Sequence, residues 1–429
     1  MPAQEIQEGM EATRGRGRVL STAAAVRASS SWARAARLVA RKCGALMLES
    51  LKRLLAKPGK QHGASAPLVL RAPRQQPASR GLAFAAELEG CAELRVHVLA
   101  DKVRLAQCMP TPLPFIPMAI LLAARAGRDL HIESPVDDAW WLTLREALAP
   151  LVAAYYDFRE PALTREQRAE APPPSGSSRG LLFSAGVDSF FSLGRIQAAG
   201  TPPDCLICVN AGAHGPHQHA FTRKLAVVEE IARAQGLAAL AVDTNFHDLF
   251  PLPHIKAHTF RNFSATLALH PIVGQLVYSA SSVFEEIDWK GSKAERLSAL
   301  DHLVTGSLLP PSLAVTHVGW GTTRVAKTAE VAGIPLAEAF LDVCARQRYQ
   351  AERPADAPPN CGECPKCLRT LLTLEYFGAL PRFATCFPRG LAGARRAEML
   401  VKLGASANPL DREVVTLLSK GASGAPDGR

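Results

Sequence analysis

Two short stretches of the 429-residue chain hold residues whose types and spacing could do chemistry. The first is Leu181-Leu182-Phe183-Ser184-Ala185-Gly186-Val187-Asp188-Ser189-Phe190. An apolar run ends in a Ser/Gly turn, and a helix is predicted to begin near Asp188. Backbone N–H groups of such a turn, and of the first helical turn, have no intrahelical partner and attract anions. Gly186 permits close backbone approach or a positive φ. Ser184 and Ser189 add hydroxyl donors for phosphate oxygens. Ionised Asp188 cannot donate to phosphate, so its natural role is to hold a Mg²⁺ that bridges phosphates. The same residues also suit an ordinary helix start, capped by Asp188 or Ser189. The spacing fits neither the Gly-Lys-Ser/Thr phosphate loop nor the dinucleotide fingerprint.

The second stretch is Cys361-Gly362-Glu363-Cys364-Pro365-Lys366-Cys367, with Cys344 lying 17 positions before Cys361. Four thiolates satisfy a tetrahedral Zn²⁺, and Gly362 lets a tight turn aim sulfurs inward. Leu368 to Phe377 reads as a helix, so the knuckle would sit at a helix N-terminus, where the dipole favours thiolates. The polar, Pro-rich run from Gln347 to Asn360 reads as a metal-clipped excursion. An iron–sulfur cluster and uncoordinated thiols are the alternatives. Cys205 and Cys208 also form a CxxC, but on a predicted strand they point to opposite faces and belong to the core.

These residues need a scaffold, and the pattern after residue 178 supplies one. Strands are predicted at Leu181–Ser184, Cys205–Asn210, Leu237–Val242, Leu276–Ala280 and Leu313–Val318. Helices are predicted at Phe190–Ala199, Phe221–Gln235, His258–Val273 and Thr323–Ala332. This alternation implies an α/β fold, with a doubly wound, mainly parallel five-stranded sheet whose ligands bind beyond the strand ends. That geometry brings His214, His217 and His219, Asp243 and Asn245, and Ser279, Ser281 and Ser282 toward one edge as candidates. Gly291-Ser292 and Gly306-Ser307 read as loop turns. Residues 66–165 read as a separate small α+β domain, in which Trp140 and Trp141 could line a pocket but read better as core packing. Residues 166–178 read as a linker, because Pro172, Pro173 and Pro174 precede Ser175, Gly176, Ser177 and Ser178. Residues 179–400 form the chemical domain and 401–429 a tail.

Hydrophobic residues at 48% and charged residues at 21% exclude a wholly disordered or collagen-like chain. The net charge of +10 is concentrated, since 12 Lys/Arg against 4 Asp/Glu in residues 1–60 supply +8 of it. A nearly neutral body does not favour duplex nucleic acid or tRNA as a partner. Residues 1–65 read as a basic, poorly ordered extension or a surface-binding arm, and Glu5, Glu8 and Glu11 argue against a transit peptide. Ten cysteines are too few for a secreted disulfide scaffold, and the metal-type spacing of four of them favours a reducing, cytoplasmic setting. No run approaches 18 apolar residues, so no membrane span is predicted.

The run Ser184-Ala185-Gly186-Val187-Asp188-Ser189 resembles the Ser-Gly-Gly-x-Asp-Ser loop of the N-type PP-loop ATP pyrophosphatases. Position 185 carries Ala where that family carries Gly. A negative φ there would leave the loop relaxed, and a positive φ would strain it. Together with Cys344, the Cys361/Cys364/Cys367 knuckle and the following Leu368-Arg369, the chain resembles the 7-cyano-7-deazaguanine synthases over about residues 180–380. Arg261-Asn262 and Lys327 fall in the order that family shows. The resemblance implies an adenine nucleotide alpha hydrolase-like fold using ATP, Mg²⁺ and Zn²⁺. It further implies adenylation of a carboxylate or amide oxygen and release of pyrophosphate. Ammonia or another nucleophile would then form an amide or nitrile on a small, 7-deazaguanine-like carboxylate. It assigns Asp188, Arg261 and Lys327 to catalysis. Ser184, Ala185, Gly186, Val187, Asp188, Ser189 and Asn262 go to the nucleotide, and Cys344, Cys361, Cys364 and Cys367 to the metal. Independently of the resemblance, Ser281 joins the nucleotide set from its place at the end of a predicted strand, and Arg324 as a cation able to offset pyrophosphate charge. A homodimer is compatible with it. The rivals are a tRNA-thiolating PP-loop enzyme and a non-catalytic nucleotide-binding or interaction protein.

Overall fold

Strand β9 (Ser178–Leu182) lies inside a run of parallel strands, paired along both of its edges. The structure, a computed structural model, describes residues 66–171, 175–214, 218–284, 297–388, 394–406 and 408–423. The extension predicted over 1–65, His217 and Gly291-Ser292 lie outside the described residues.

Thirteen strands are described: β1 (Leu68–Leu70), β2 (Arg74–Gln76), β3 (Leu82–Leu88), β4 (Ala92–Leu99), β5 (Leu130–Ile132), β6 (Val136–Asp137), β7 (Leu163–Arg165), β8 (Arg168–Ala169), β9, β10 (Cys205–Asn210), β11 (Ala238–Thr244), β12 (Val273–Ser279) and β13 (Ala314–Val318). One eleven-stranded sheet runs in the order β13-β12-β9-β10-β11-β4-β3-β1-β5-β7, with β2 paired to β3. Its first five strands are mutually parallel. The chain leaves β9 toward β10 on one side and later returns to β12 on the other. The end of β9 is therefore a topological switch point, where open α/β sheets bind ligands.

Helices cover both faces of the parallel strands. They are α4 (Val187–Ala198), α5 (Gln218–Ala234), α6 (His254–Thr266), α7 (Asp301–Leu308) and α8 (Arg324–Val331). Earlier in the chain come α1 (Phe115–Ala126), α2 (Asp138–Thr143) and α3 (Ala149–Tyr156). Later come α9 (Pro335–Phe340), α10 (Gln347–Glu352), α11 (Pro365–Tyr376), α12 (Ala394–Gly404) and α13 (Pro409–Ser423). Strand β10 shows why its sequence is apolar throughout: Cys205 and Ile207 join one core, Leu206 and Cys208 the other. The two cysteines thus pack on opposite faces, as the alternation of side chains requires. The helix predicted over 258–273 ends sooner, at Thr266, and Val273 already belongs to β12. A 3-10 turn over Leu267–Leu269 follows, and Pro271, which has no backbone N–H, cannot continue an α-helical ladder into Val273.

Three predicted boundaries need correction. Residues 66–165 do not form a sheet of their own. Strand β4 pairs antiparallel with β11, from Ala241↔Leu99 to Thr244↔Val96, and extends the parallel sheet. An uncovered β11 edge would otherwise present a row of unpaired backbone groups. The described residues accordingly belong to one compact unit, and one core runs from Leu68 to Leu313. Within it Trp140 is buried, and its Nε1 donates to the Leu308 carbonyl at 3.0 Å. The linker is also tied down: Arg168 and Ala169 form β8, which pairs with β6, and Gly176 N donates to His270 O at 2.8 Å. A Cβ on Gly176 would come within 2.0 Å of the Ile272 backbone, so this approach requires glycine. Finally, the predicted tail is largely helical over its described residues, in α12 up to Gly404 and in α13. Met399, Leu403 and Val414 of α12 and α13 bury Leu368 and Leu372 of α11, and Arg369 pairs with Asp411 at 3.2 Å.

Candidate functional site

The chain leaves β9 at Leu182, and Phe183 N still donates to Ile207 O at 2.8 Å. Ser184 is exposed, Ala185 is buried, and α4 begins at Val187 with Gly186 as its N-cap. Gly186 is extended, with φ −85°, whereas Ala185 has φ 56°. The left-handed residue of the loop is therefore the alanine, and the conformation costs about 1–2 kcal/mol for a residue with a Cβ. Among the described residues no side chain caps α4. Asp188 and Ser189 sit inside its first turn, so the simple capping alternative is not realised. Ser189 Oγ instead accepts from Ser184 N and meets Ser184 Oγ, both at 3.0 Å. The N–H groups of Val187, Asp188 and Ser189 form the open positive end of a helix.

Two other segments hold the strained turn. Asp342 N donates to Ala185 O at 2.9 Å, and Lys224 Nζ of α5 donates to Ser184 O at 3.0 Å. Lys224 also pairs with the Asp342 carboxylate. Asp342 in turn accepts from Gln350 Nε2 at 3.1 Å and from Cys344 N at 3.3 Å.

The loop opens on a cleft of about 560 Å³. Lys224, Arg324, Lys366 and Arg369 line it against Asp188 and Asp342, an excess of positive charge suited to an anion. Arg324 Nη2 lies 2.6 Å from Asp188, and Lys327 Nζ lies 3.5 Å from it. Lys327 does not line the cleft. It is buried beneath it, donating to Ala280 O at 2.7 Å. Arg261 does not line it either: its guanidinium is buried, with Nη1 on His247 Nδ1 at 2.7 Å. Burial pushes that guanidinium down to about 10. Asn262, the next residue, does face the cleft, as do Ser279 and Ser281. Adjacent helix positions point about 100° apart, which separates 261 from 262.

Of the other candidates, His214 lines the cleft, while His219 is exposed outside it. Burial, with Lys224 nearby, pushes His214 down to about 4, so it is neutral at pH 7. Asp243 is engaged by Asn210 and Gln218, and Asn245 ties Arg95 N and Glu93 O, so neither faces the cleft. Ser282 is buried against Ser298, and Gly306-Ser307 lie inside α7 rather than in a turn.

The wall opposite the loop holds two histidines, His254 and His258, that sequence reasoning missed. His254, His258 and Asn262 recur at helical spacing on one face of α6 and all line the cleft. That spacing was the available signal. The two imidazoles stack with centroids 4.7 Å apart, and His258 Nδ1 lies 2.8 Å from His254 O. Burial in the crowded cleft pushes His258 down to about 4. Behind Tyr278, Asp301 is fully buried and accepts from Thr259 Oγ1 at 2.8 Å. Burial pushes its carboxyl up to about 8. No local pattern marked Lys224, Asp342 or Asp301.

Beside the loop, the ligand atoms of Cys344, Cys361, Cys364 and Cys367 lie within 4.8 Å of one another. Cys361 and Cys364 stand 3.8 and 3.4 Å from Cys367, Sγ to Sγ. Tetrahedral bonds of about 2.3 Å to one ion place sulfurs about 3.8 Å apart, so the group can hold a metal ion. Gly362, at φ 69°, makes the turn, and the N–H groups of Glu363 and Cys364 donate to Cys361 Sγ. Pro365 at the start of α11 is compatible with this entry.

No protein-family model matches the chain, and neither a curated protein nor a solved structure matches it. Among the described residues no helix is long and apolar enough to cross a membrane.

Proposed function

We propose that the chain is an ATP-dependent, AMP-forming ligase of the PP-loop type with an adenine nucleotide alpha hydrolase-like fold. The observation that carries this reading is the uncapped start of α4 at the switch point of the sheet, opening on a cationic cleft. The N–H groups of Val187, Asp188 and Ser189, with the hydroxyls of Ser184 and Ser189, would grip the β- and γ-phosphates. Arg324 offsets the charge that grows on departing pyrophosphate. Asp188 would hold Mg²⁺, and Lys327, 3.5 Å away, orients that carboxylate from below. Asn262 and Ser281 would contact the nucleoside. ATP supplies an activated phosphorus, and its AMP turns a carboxylate or amide oxygen into a leaving group.

The acceptor would lie against α6 and Tyr278. The neutral faces of His254 and His258 and the Tyr278 ring suit a small planar carboxylate such as a 7-deazaguanine, with ammonia as the attacking nucleophile. The four cysteines would hold structural zinc, because sulfurs this close enclose a single ion. Such thiolates point to a reducing, cytoplasmic setting. Incubation with Mg·ATP, ammonia and a panel of planar carboxylates should release pyrophosphate in an acceptor-dependent way; no release with any acceptor counts against a ligase. One observation favours a second reading, a nucleotide-binding protein without turnover: Ala185 is held at φ 56° where the resembled loop carries glycine. Tight ATP binding with no pyrophosphate release would select it.

A further inference from the structure

The metal-binding knuckle and the phosphate loop touch through one short segment, residues 341–344. Asn360, fully buried just before Cys361, accepts from Val343 N at 2.8 Å and donates to Leu341 O at 2.7 Å. Its amide also donates to Cys386 O at 2.8 Å. The segment is thus fixed to the knuckle on both sides of Asp342. From there Asp342 N reaches Ala185 O at 2.9 Å, and its carboxylate engages Lys224, whose ammonium reaches Ser184 O at 3.0 Å. Two consecutive carbonyls of the loop are therefore satisfied by donors set by the knuckle and by α5. This explains how alanine persists at φ 56°. A left-handed non-glycine residue survives only where its surroundings over-determine it. Were the two carbonyls released, the turn would relax and rotate peptide groups that now leave their N–H ends free for an anion.

We infer that Lys224 and Asp342 are positioning residues that hold the Ser184–Ala185 turn in its anion-binding form, and that the cysteine-bound metal sustains this through Asn360. The inference rests on the nucleotide reading of the loop, but the state of the turn can be measured without nucleotide. The chain gains from this arrangement a dependence of phosphate affinity on metal occupancy.

The test compares the full chain with Lys224→Met, Lys224→Arg, Ala185→Gly and the Lys224→Met/Ala185→Gly pair. Binding of a non-hydrolysable Mg·ATP analogue and of inorganic pyrophosphate is read by calorimetry. Amide exchange over residues 184–189 is read without ligand. Lys224→Met should weaken both probes roughly tenfold, the factor set by the left-handed penalty of alanine. Zinc stoichiometry should stay unchanged. Lys224→Arg should retain most of the affinity. Ala185→Gly should restore most of it to Lys224→Met, because glycine adopts the conformation unaided. A role of Lys224 confined to packing or to simple charge attraction would not be rescued this way. Stripping the metal with a chelator should weaken pyrophosphate binding in the parent chain and less so in Ala185→Gly. Equal losses in the parent chain and in the Ala185→Gly variant, or none in either, overturn the inference. If the parent chain binds neither probe, the nucleotide reading fails instead. Exchange then decides the brace: faster exchange in Lys224→Met, reversed by Ala185→Gly, supports it, and unchanged exchange overturns it.

Discussion

Asp301→Asn should remove a pH-dependent loss of stability. Asp301 is fully buried on α7, held by the Thr259 hydroxyl at 2.8 Å and lying behind Tyr278. Burial raises its carboxyl from 3.8 to about 8. Between those values the native state keeps a proton that the unfolded chain releases. Stability is therefore full below the unfolded value and falls as pH rises toward the folded one. The slope is about 1.4 kcal/mol per pH unit, so on the order of 3 kcal/mol is lost between pH 5 and pH 7. That is a large share of the roughly 5–15 kcal/mol typical of a domain. Asparagine keeps the shape and an oxygen for Thr259 but cannot ionise. His214 and His258, both pushed down by burial, titrate in parent and variant alike and cancel in the difference. Tyr278, pushed up by burial, titrates above the window. Urea unfolding at pH 5, 6 and 7 should show the variant gaining on the parent by about 3 kcal/mol across the range. A parent–variant difference that stays constant with pH would refute the argument, because it would mean that Asp301 ionises in place without penalty.

Asp188→Ala should lower pyrophosphate release from ATP by roughly a hundredfold or more while leaving the melting temperature within a few degrees; unchanged turnover in a steady-state assay removes Asp188 from the site. Cys364→Ser should reduce zinc stoichiometry and thermal stability together, because folding and metal binding are linked at a thiolate site; full metal content by elemental analysis would exclude Cys364 as a ligand. Arg369→Leu leaves Asp411 buried without its cation, and side-chain exposures of 9% and 5% leave little solvent to compensate. Urea unfolding should show a loss of about 3–5 kcal/mol, largely recovered in Arg369→Leu/Asp411→Leu. A single variant as stable as the parent would show that the contact is not structural.

Much of the parallel half of the sheet is legible in order along the chain. Cys205–Asn210 is read to the residue because an unbroken apolar run, Cys205 to Val209, lies between Pro203 and Gly212. The helix after Gly186 and the one after Thr323 also follow from local signals, the second through a side-chain cap on Ala326 N. The extension of the sheet by β4 is not legible. Alternation in Ala92–Leu99 shows that one face is buried but does not name β11 as the partner. Asn262 and Arg261 sit side by side in sequence, yet only the phase of α6 against the core puts one in the cleft and the other beneath its neighbours.

The sequence by itself determined which chemistry is on offer. A serine- and glycine-bearing turn feeds a helix, and four cysteines sit at metal spacing, because these depend on residue types a few positions apart. Only the tertiary structure decided that the turn is left-handed at Ala185, that Lys224 and Asp342 hold it, and that Lys327 and Arg261 lie outside the cleft. Lys224 and Asp342 are 118 positions apart, and their meeting depends on how distant segments pack. Backbone strain, likewise, is tolerated only when such distant contacts hold it, so no local pattern can announce it.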